Sequence, residues 1–191
     1  MVTIPKTDRR EAICEAVFEL LGEVGYDRMS MDAVAARARA SKATIYRGWP
    51  NKPDLVMDAI EHRYGGPVLP PDTGSLRGDL LAHLNQTCAF VNGADGAVLT
   101  GLLTAATHNA ELQEVMYRCV YEAKQSMYDS MIRRAVDRGE LPSCGSRSEL
   151  VHEVLHAMVM SRRLWQAGPL DDAFVARLVD CVLLPVLRHG C

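Results

Sequence analysis

The sequence is poor in aromatic residues and has no long apolar run. Aromatics make up 6% of the 191 residues, while hydrophobic residues make up 48% and charged residues 24%, which excludes a disordered or fibrous chain. No apolar stretch approaches the roughly 18 residues that a membrane-spanning helix needs. The first residues carry neither a signal-peptide nor a transit-peptide pattern. We therefore expect a soluble cytoplasmic protein that makes no membrane contact.

The cysteines do not form a recognisable metal or disulfide pattern. Six are spread at long, irregular intervals without a C-x-x-C pair, whereas a secreted disulfide scaffold would be shorter and richer in cysteine. Cys144 and Cys191 are predicted to be exposed, so a thiol-sensing regulator remains an alternative. Four others fall within apolar helical patterns and are predicted to be buried, namely Cys14, Cys88, Cys119 and Cys181.

No segment alternates polar and apolar residues for long enough to indicate a strand. Helical spacing predicts an all-α chain of about nine helices, and Pro185 predicts a bend or an early end of the last one. Gly25, Gly48 and Gly139 predict helix ends. The residues predicted to cap or begin helices are Asp8, Ser30, Ser41, Asn51, Asn109, Ser146 or Ser148, and Asp171 or Asp172.

A glycine- and proline-rich run at residues 65–71 is the clearest linker in the chain. It predicts a first domain of residues 1–63 and a second domain of residues 72–191.

Positive charge is concentrated in residues 28–52. This stretch holds six Lys or Arg against Asp32 alone, which gives 6 − 1 = +5, whereas the whole chain carries −3. A basic patch on an otherwise acidic chain indicates a polyanion that meets one surface. A solvated helix face is the alternative explanation from charge alone.

The same stretch predicts two short helices with a tight connection between them. An α-helix fits the major groove of DNA. The second short helix offers Lys42, Thr44, Tyr46 and Arg47, residues suited to base reading and phosphate anchoring. Lys52 begins the next helix, where free backbone N–H groups also attract phosphate.

Two neighbouring segments resemble the N-terminal helix-turn-helix of the tetracycline-repressor (TetR) family. They are Ser30-Met31-Asp32-Ala33-Val34-Ala35 and Ser41-Lys42-Ala43-Thr44-Ile45-Tyr46-Arg47-Gly48-Trp49-Pro50-Asn51-Lys52. With the Gly25-Tyr26 pair, the resemblance covers about residues 8–63. It implies a dimeric, all-α transcriptional regulator, most simply a repressor. Its partners would be double-stranded palindromic operator DNA and a small hydrophobic effector, and it would be neither an enzyme nor dependent on a cofactor or metal.

The resemblance also assigns roles. Lys42, Ala43 and Thr44 would lie near base edges, and Tyr46 would donate its hydroxyl to a phosphate. Arg47 joins the DNA-binding residues of the same helix. Ser30 would cap the second helix and touch the DNA backbone, and Lys52 would contact a phosphate.

Two positions depart from the family pattern. Gly48 stands where members often carry an aromatic residue or histidine, so a DNA contact is missing there. Asp32 places a negative charge near the DNA-facing end of the second helix. Ile45 and Trp49 are interpreted as core residues, and Arg37 and Arg39 as solvated charges.

The C-terminal half is predicted to hold an effector pocket with apolar walls and a few phenolic hydroxyls, although core packing explains each residue equally well. The predicted lining is Leu84, Cys88, Leu99, Leu102, Leu103, Met116, Val120, Tyr121, Met127, Tyr128, Met131 and Trp165. The last two helices carry more apolar residues than one subunit needs to bury, which predicts a four-helix dimer interface. Its residues would be Val154, Leu155, Met158, Val159, Phe174, Leu178, Cys181 and Val182.

His152-Glu153-Val154-Leu155-His156 matches H-E-x-x-H, in which two imidazoles bind zinc and the glutamate acts as base. A zinc metallopeptidase is therefore a rival hypothesis. No Glu follows Glu153, and Val159 and Arg162 occupy the positions of the Gly and His of the extended motif. We therefore expect no catalysis and no stable metal site here, and a metal-sensing regulator stays a lesser alternative.

Overall fold

The computed structural model describes residues 6–64, 69–93, 95–142, 148–165 and 168–189. Within these residues all regular structure is helical. The helices are α1 (Lys6–Arg28), α2 (Met31–Arg37), α3 (Lys42–Gly48), α4 (Lys52–Tyr64), α5 (Leu76–Asn92), α6 (Gly96–Ala106), α7 (Ala110–Met116), α8 (Glu122–Asp137), α9 (Ser148–Trp165), α10 (Asp172–Leu178) and α11 (Leu184–His189). A π-helical turn joins α7 to α8, and another joins α10 to α11. The described part thus has nine continuous helices, and the all-α prediction is confirmed.

Five predicted capping residues hold the starts of their helices. Each accepts a hydrogen bond from the backbone N–H three residues on, at 2.8–3.1 Å, which satisfies a donor that the helix leaves free. They are Ser30, Ser41, Asn51, Asn109 and Asp171. The Asp8 prediction is wrong, because α1 begins at Lys6. Helix α9 begins at Ser148, and Ser146 lies outside the described residues.

Gly25 interrupts α1 as predicted. Its φ of 76° and ψ of 170° are not helical, and glycine adopts a positive φ without a steric penalty. One helical turn follows the break, and the Met29 N–H then bonds to the Gly25 carbonyl at 3.2 Å. This turn leads directly into Ser30 and α2.

Backbone contacts divide the chain into two compact units. The first comprises residues 1–67 and 97–120, and the second residues 68–96 and 121–191. The first unit therefore includes a segment that the linear division into 1–63 and 72–191 assigns to the second domain. That division, as a statement about domains, remains a prediction.

The core of the first unit is formed by the inner faces of α1 to α4 with parts of α6 and α7. Val17, Val34, Ile45 and Leu55 are fully buried there. Each comes from a different helix, so α1 to α4 are fixed around one apolar centre. Burying a side chain of this size contributes about 1.5–3 kcal/mol.

The second unit packs α5 and α8 to α11 around a separate core. Asp79 is fully buried at its edge, accepts from the N–H and the hydroxyl of Thr73 at 2.7 and 2.8 Å, and lies 3.5–3.6 Å from Arg134 and Arg138. The π-helical turn Val179–Leu183 comes just before Pro185. Proline cannot donate the helical hydrogen bond. The bend or early end that Pro185 predicts is therefore seen as this π-helical turn.

In the described part of the chain, no single helix is long and apolar enough to cross a membrane. Helices α5 and α6 reach that threshold only when they are counted together as a bent pair.

Candidate functional site

The turn between α2 and α3 has a well-defined geometry. Ala38 ends α2, and Arg39 adopts a left-handed conformation with φ of 51°. The Ala40 N–H reaches back to the Ala35 carbonyl at 2.9 Å, the long-range bond of a Schellman motif. The chain thereby turns within the four residues between α2 and α3, and the start of α3 is fixed relative to the end of α2.

Helix α3 is anchored on one side and open on the other. Ile45 is fully buried in the core, and the Ser41 hydroxyl lies 2.8 Å from that of Thr44, which is half-buried. Ala43, Tyr46 and Arg47 are exposed, with Tyr46 53% accessible. A rigid backbone therefore presents a small methyl group, a phenol and a guanidinium to solvent.

Lys42, the first residue of α3, is held by a carboxylate of α2. Its Nζ lies 2.6 Å from Asp32 Oδ2, and both side chains are largely exposed. The hydrogen bond and the charge of Asp32 raise the pKa of Lys42. Asp32, noted in the sequence as a departure from the family pattern, is thus the partner of the predicted base-reading lysine.

Lys52 points back toward the end of α1. Its Nζ donates to the carbonyls of Tyr26 and Met29 at 3.0 and 3.1 Å and lies 4.1 Å from the centre of the Tyr26 ring. Burial lowers the pKa of Lys52. Two of its three donors are therefore used within the protein, and the predicted phosphate contact remains a prediction.

The other basic residues divide into paired and unpaired groups. Arg37 bonds to Glu19 and Glu23 of α1, each at 2.8 Å; it is exposed, in agreement with the predicted surface charge, but it is paired. Among the described residues, Arg39 and Arg47 are exposed and form no ion pair. The net charge of +5 therefore overstates the number of basic side chains that are available to a polyanion, because some of them are already paired with carboxylates of the protein.

Trp49 closes the end of α3. Its indole Nε1 donates to Asp58 Oδ2 at 3.0 Å, and Arg10 bonds to the same carboxylate at 2.5 and 3.1 Å. The half-buried ring packs against the first core. The interpretation of Trp49 as a core residue is confirmed.

Comparisons with known proteins agree with this geometry. Residues 13–59 match the model of bacterial regulatory proteins of the tetR family, and residues 70–182 match the tetracyclin repressor-like C-terminal domain. The chain belongs to the TetR family. It is 40% identical to a DNA-binding transcriptional repressor TetR of Mycobacteroides abscessus over 95% of both chains. It is 36% identical to an uncharacterised HTH-type transcriptional regulator of Mycobacterium tuberculosis, over 97% of this chain and 91% of that one.

A solved structure of a TetR family transcription regulator superposes with a TM-score of 0.71 at 31% identity, over 93% of this chain and 97% of that one. This chain is thus a TetR-family DNA-binding transcriptional regulator. TetR-family regulators bind operator DNA and form dimers, and some of them bind small-molecule effectors.

The predicted pocket residues of this TetR-family chain fall into two separate groups. Trp165 is 80% exposed and lines no interior. Leu99, Leu102, Leu103, Met116 and Val120 belong to the core of the first unit. Leu84, Cys88, Met127, Tyr128 and Met131 belong to the core of the second. The prediction did not distinguish these groups, because an apolar helical pattern indicates burial but does not show which core a residue joins.

A polar cluster lies within the second core. His83, Tyr128 and His152 are buried, and the Tyr128 hydroxyl lies 2.9 Å from His83 Nε2. The ring of Tyr121 stacks on that of His152 with centroids 4.3 Å apart. His83 was missed in the sequence, where a single histidine in an apolar helix gives no signal of its partners.

The predicted dimer residues also divide. Leu155, Val159, Phe174 and Leu178 are at most 4% exposed within one subunit, so they are core residues and not surplus apolar surface. Val154 and Val182 are half-buried, while Met158 and Cys181 are exposed. The large apolar side chains of α9 that are exposed are Leu150, Met158, Leu164 and Trp165.

The H-E-x-x-H segment lies on α9 with its two imidazoles in different environments. His152 is buried and His156 is exposed, with ring centroids 6.5 Å apart at 90°. Within the described residues no group of three His, Cys, Asp or Glu side chains could hold a metal ion. Together with the TetR-family match, this arrangement does not favour the zinc-peptidase hypothesis.

The cysteine predictions hold in part. Cys14 and Cys88 are buried and Cys119 is half-buried, but Cys181 is exposed, against the prediction. Burial raises the pKa of the Cys14 thiol to about 11 and also raises that of Cys88, which disfavours the reactive thiolate. Cys144 and Cys191 lie outside the described residues.

Proposed function

We propose that this chain is a dimeric, cytoplasmic repressor that inserts α3 into the major groove and releases its operator when a small molecule binds. The observation that carries this proposal is the presentation of Ala43, Tyr46 and Arg47 by a capped helix whose opposite side is fixed by Ile45. A recognition helix needs this combination of a rigid backbone and a free polar face.

The exposed residues of α3 divide the work. Tyr46 donates its hydroxyl to a phosphate, and Arg47 supplies an unpaired charge for the backbone or a base. Lys42 exchanges its bond to Asp32 for a base edge or a phosphate, with Ala43 and Thr44 beside it. Ser30 caps α2 and lies at the DNA backbone. Charge-assisted contacts of this kind release counterions, so affinity falls as salt rises.

Dimerisation uses α9. Leu150, Val154, Met158, Leu164 and Trp165 lie within about 120° of one another around a helix of 3.6 residues per turn, and four of them are exposed. A two-fold copy of this face buries them in an isologous interface. Trp165→Arg and Leu164→Glu should therefore convert a dimer to a monomer in sedimentation at micromolar concentration, whereas the buried Leu155 is a poor probe because its replacement damages the subunit core.

The deciding experiment is a gel shift and footprint with the intergenic DNA beside the coding sequence. A dimer should protect two half-sites about 34–36 Å apart, or a multiple of that distance. Tyr46→Phe should weaken binding to all sequences alike, while Lys42→Ala should relax preference at a base pair in each half-site. A single asymmetric footprint, or no binding at low salt, would contradict the proposal.

A further inference from the structure

The second core contains a buried polar atom that its own residues leave unpaired. The side chains of His83 and His152 are 5% and 3% exposed. His83 Nε2 is engaged by Tyr128, but His152 Nδ1 is buried and has no hydrogen-bond partner among the described residues. Leaving a buried polar atom unpaired costs about 1–3 kcal/mol, so its presence here calls for a ligand or a water.

Lys124 adds a positive charge to this cluster. It is half-buried on α8, one turn from both Tyr121 and Tyr128, and its charge lowers the pKa values of His83, His152 and His156, after burial as the main cause. The rings of Tyr121 and Tyr128 both contact the ring of His152, so Lys124 lies on the face of α8 that meets this cluster. In the part of the chain that the structure describes, it forms no ion pair or hydrogen bond.

The surrounding carboxylates are committed elsewhere. On α5, Asp79 bonds to Thr73. On α8, Asp129 accepts from the hydroxyl of Ser148, and on α9, Glu153 is exposed. The pKa values of both His83 and His152 are lowered to about 4, so these imidazoles are neutral at pH 7. Burial also lowers the pKa of Lys124, so its amine lacks a counter-charge within this cluster, and an anion bound beside it would favour the charged ammonium.

We propose that the effector of this regulator is a carboxylic acid with an apolar body, whose carboxylate pairs with Lys124 and accepts a hydrogen bond from His152 Nδ1. This inference rests on the proposed function, since it names the ligand class of that regulator. A monoanion matches a single ammonium, whereas a phosphate dianion would leave an unpaired charge in a partly dry site. Leu84, Cys88 and Met131 belong to the same buried core and are suited to contact the apolar body.

The test is calorimetric titration of the full chain, without DNA, with octanoate and 3-phenylpropanoate and with their primary amides. Each acid should bind at least tenfold more tightly than its amide. Lys124→Met should abolish that preference, and Lys124→Arg should retain part of it. Arg133→Met is the matched control, because it removes an exposed positive charge from the same helix and should leave both affinities unchanged.

Folding is checked separately by melting temperature. Without ligand, Lys124→Met should melt no lower than the parent, since it removes a half-buried amine that has no hydrogen-bond partner among the described residues. Equal affinity for acid and amide, no binding of either acid, or unchanged acid binding by Lys124→Met would overturn the inference. The gel shift without added acid reports DNA binding on its own, so failure of the proposed function and failure of this ligand assignment are distinguishable.

Discussion

Replacing Lys52 by methionine separates two possible roles of this residue: stabilising the fold through the carbonyls of Tyr26 and Met29, and binding a DNA phosphate. Methionine keeps most of the apolar stem over the Tyr26 ring and removes only the ammonium. The carbonyls of Tyr26 and Met29 then lose their donor, and the last turn of α1 loses its link to the start of α4. If Lys52 acts mainly inside the protein, the first effect is on stability.

The size of that effect follows from the contacts. A hydrogen bond to a charged group contributes about 1.5–3 kcal/mol, and the cation–π contact adds about 0.5–1 kcal/mol. Because Lys52 is only half-buried, water replaces part of the lost bonding. We therefore expect the free energy of unfolding to fall by about 2 kcal/mol. In a chain of this length, this lowers the melting temperature by about 4–8 °C.

Circular dichroism melting measures the contribution of Lys52 to stability, and gel shifts at several salt concentrations measure its contribution to DNA binding. The matched variant is Arg47→Met, which removes an exposed and unpaired cation of α3. It should leave the melting temperature unchanged while weakening DNA binding and flattening its salt dependence. If Lys52→Met behaved in the same way as Arg47→Met, Lys52 would be a phosphate ligand and the argument from its carbonyl partners would be wrong.

Three further predictions concern other features. Arg39→Gly should raise the free energy of unfolding by about 0.5–1 kcal/mol relative to Arg39→Ala, because glycine relieves the left-handed backbone; equal melting of the two variants would contradict this. Asp32→Asn should strengthen DNA binding, because it frees Lys42 and removes a negative charge from the DNA-facing surface; an unchanged or weaker gel shift would count against that role. Because the folded pKa of His83, about 4, lies below its ordinary value, the unfolded chain binds a proton first as the pH falls. Stability should therefore be lost between about pH 6.5 and 4, by up to roughly 3 kcal/mol from this group; a His83→Gln variant with an equally steep denaturation profile would refute the assignment.

Most helix caps can be predicted from the sequence. Ser30, Ser41 and Asn51 cap helices because the cap and its partner are three residues apart, so both are visible in one short window. Ile45 was assigned to the core from its place between polar neighbours. The helix-turn-helix could therefore be predicted almost completely.

Contacts between residues that are distant in the sequence could not be predicted from a short window of sequence. Lys52 and Tyr26 are 26 residues apart, and His83 and Tyr128 are 45 residues apart; only the fold brings them together. Apolar patterns also do not say which neighbour buries a residue. Leu155 and Trp165 fit the same helical pattern, yet the first is 4% exposed and the second 80%.

Gly48 leaves the end of α3 open to substitution. A Cβ built at this position meets nothing within 4 Å, and its backbone is helical. A single codon change can therefore add a side chain on the exposed helix without disturbing the core, and most replacements improve the helical propensity over glycine. Since α3 is the helix that we propose for the major groove, a side chain added at this position would change the operator preference without a loss of stability.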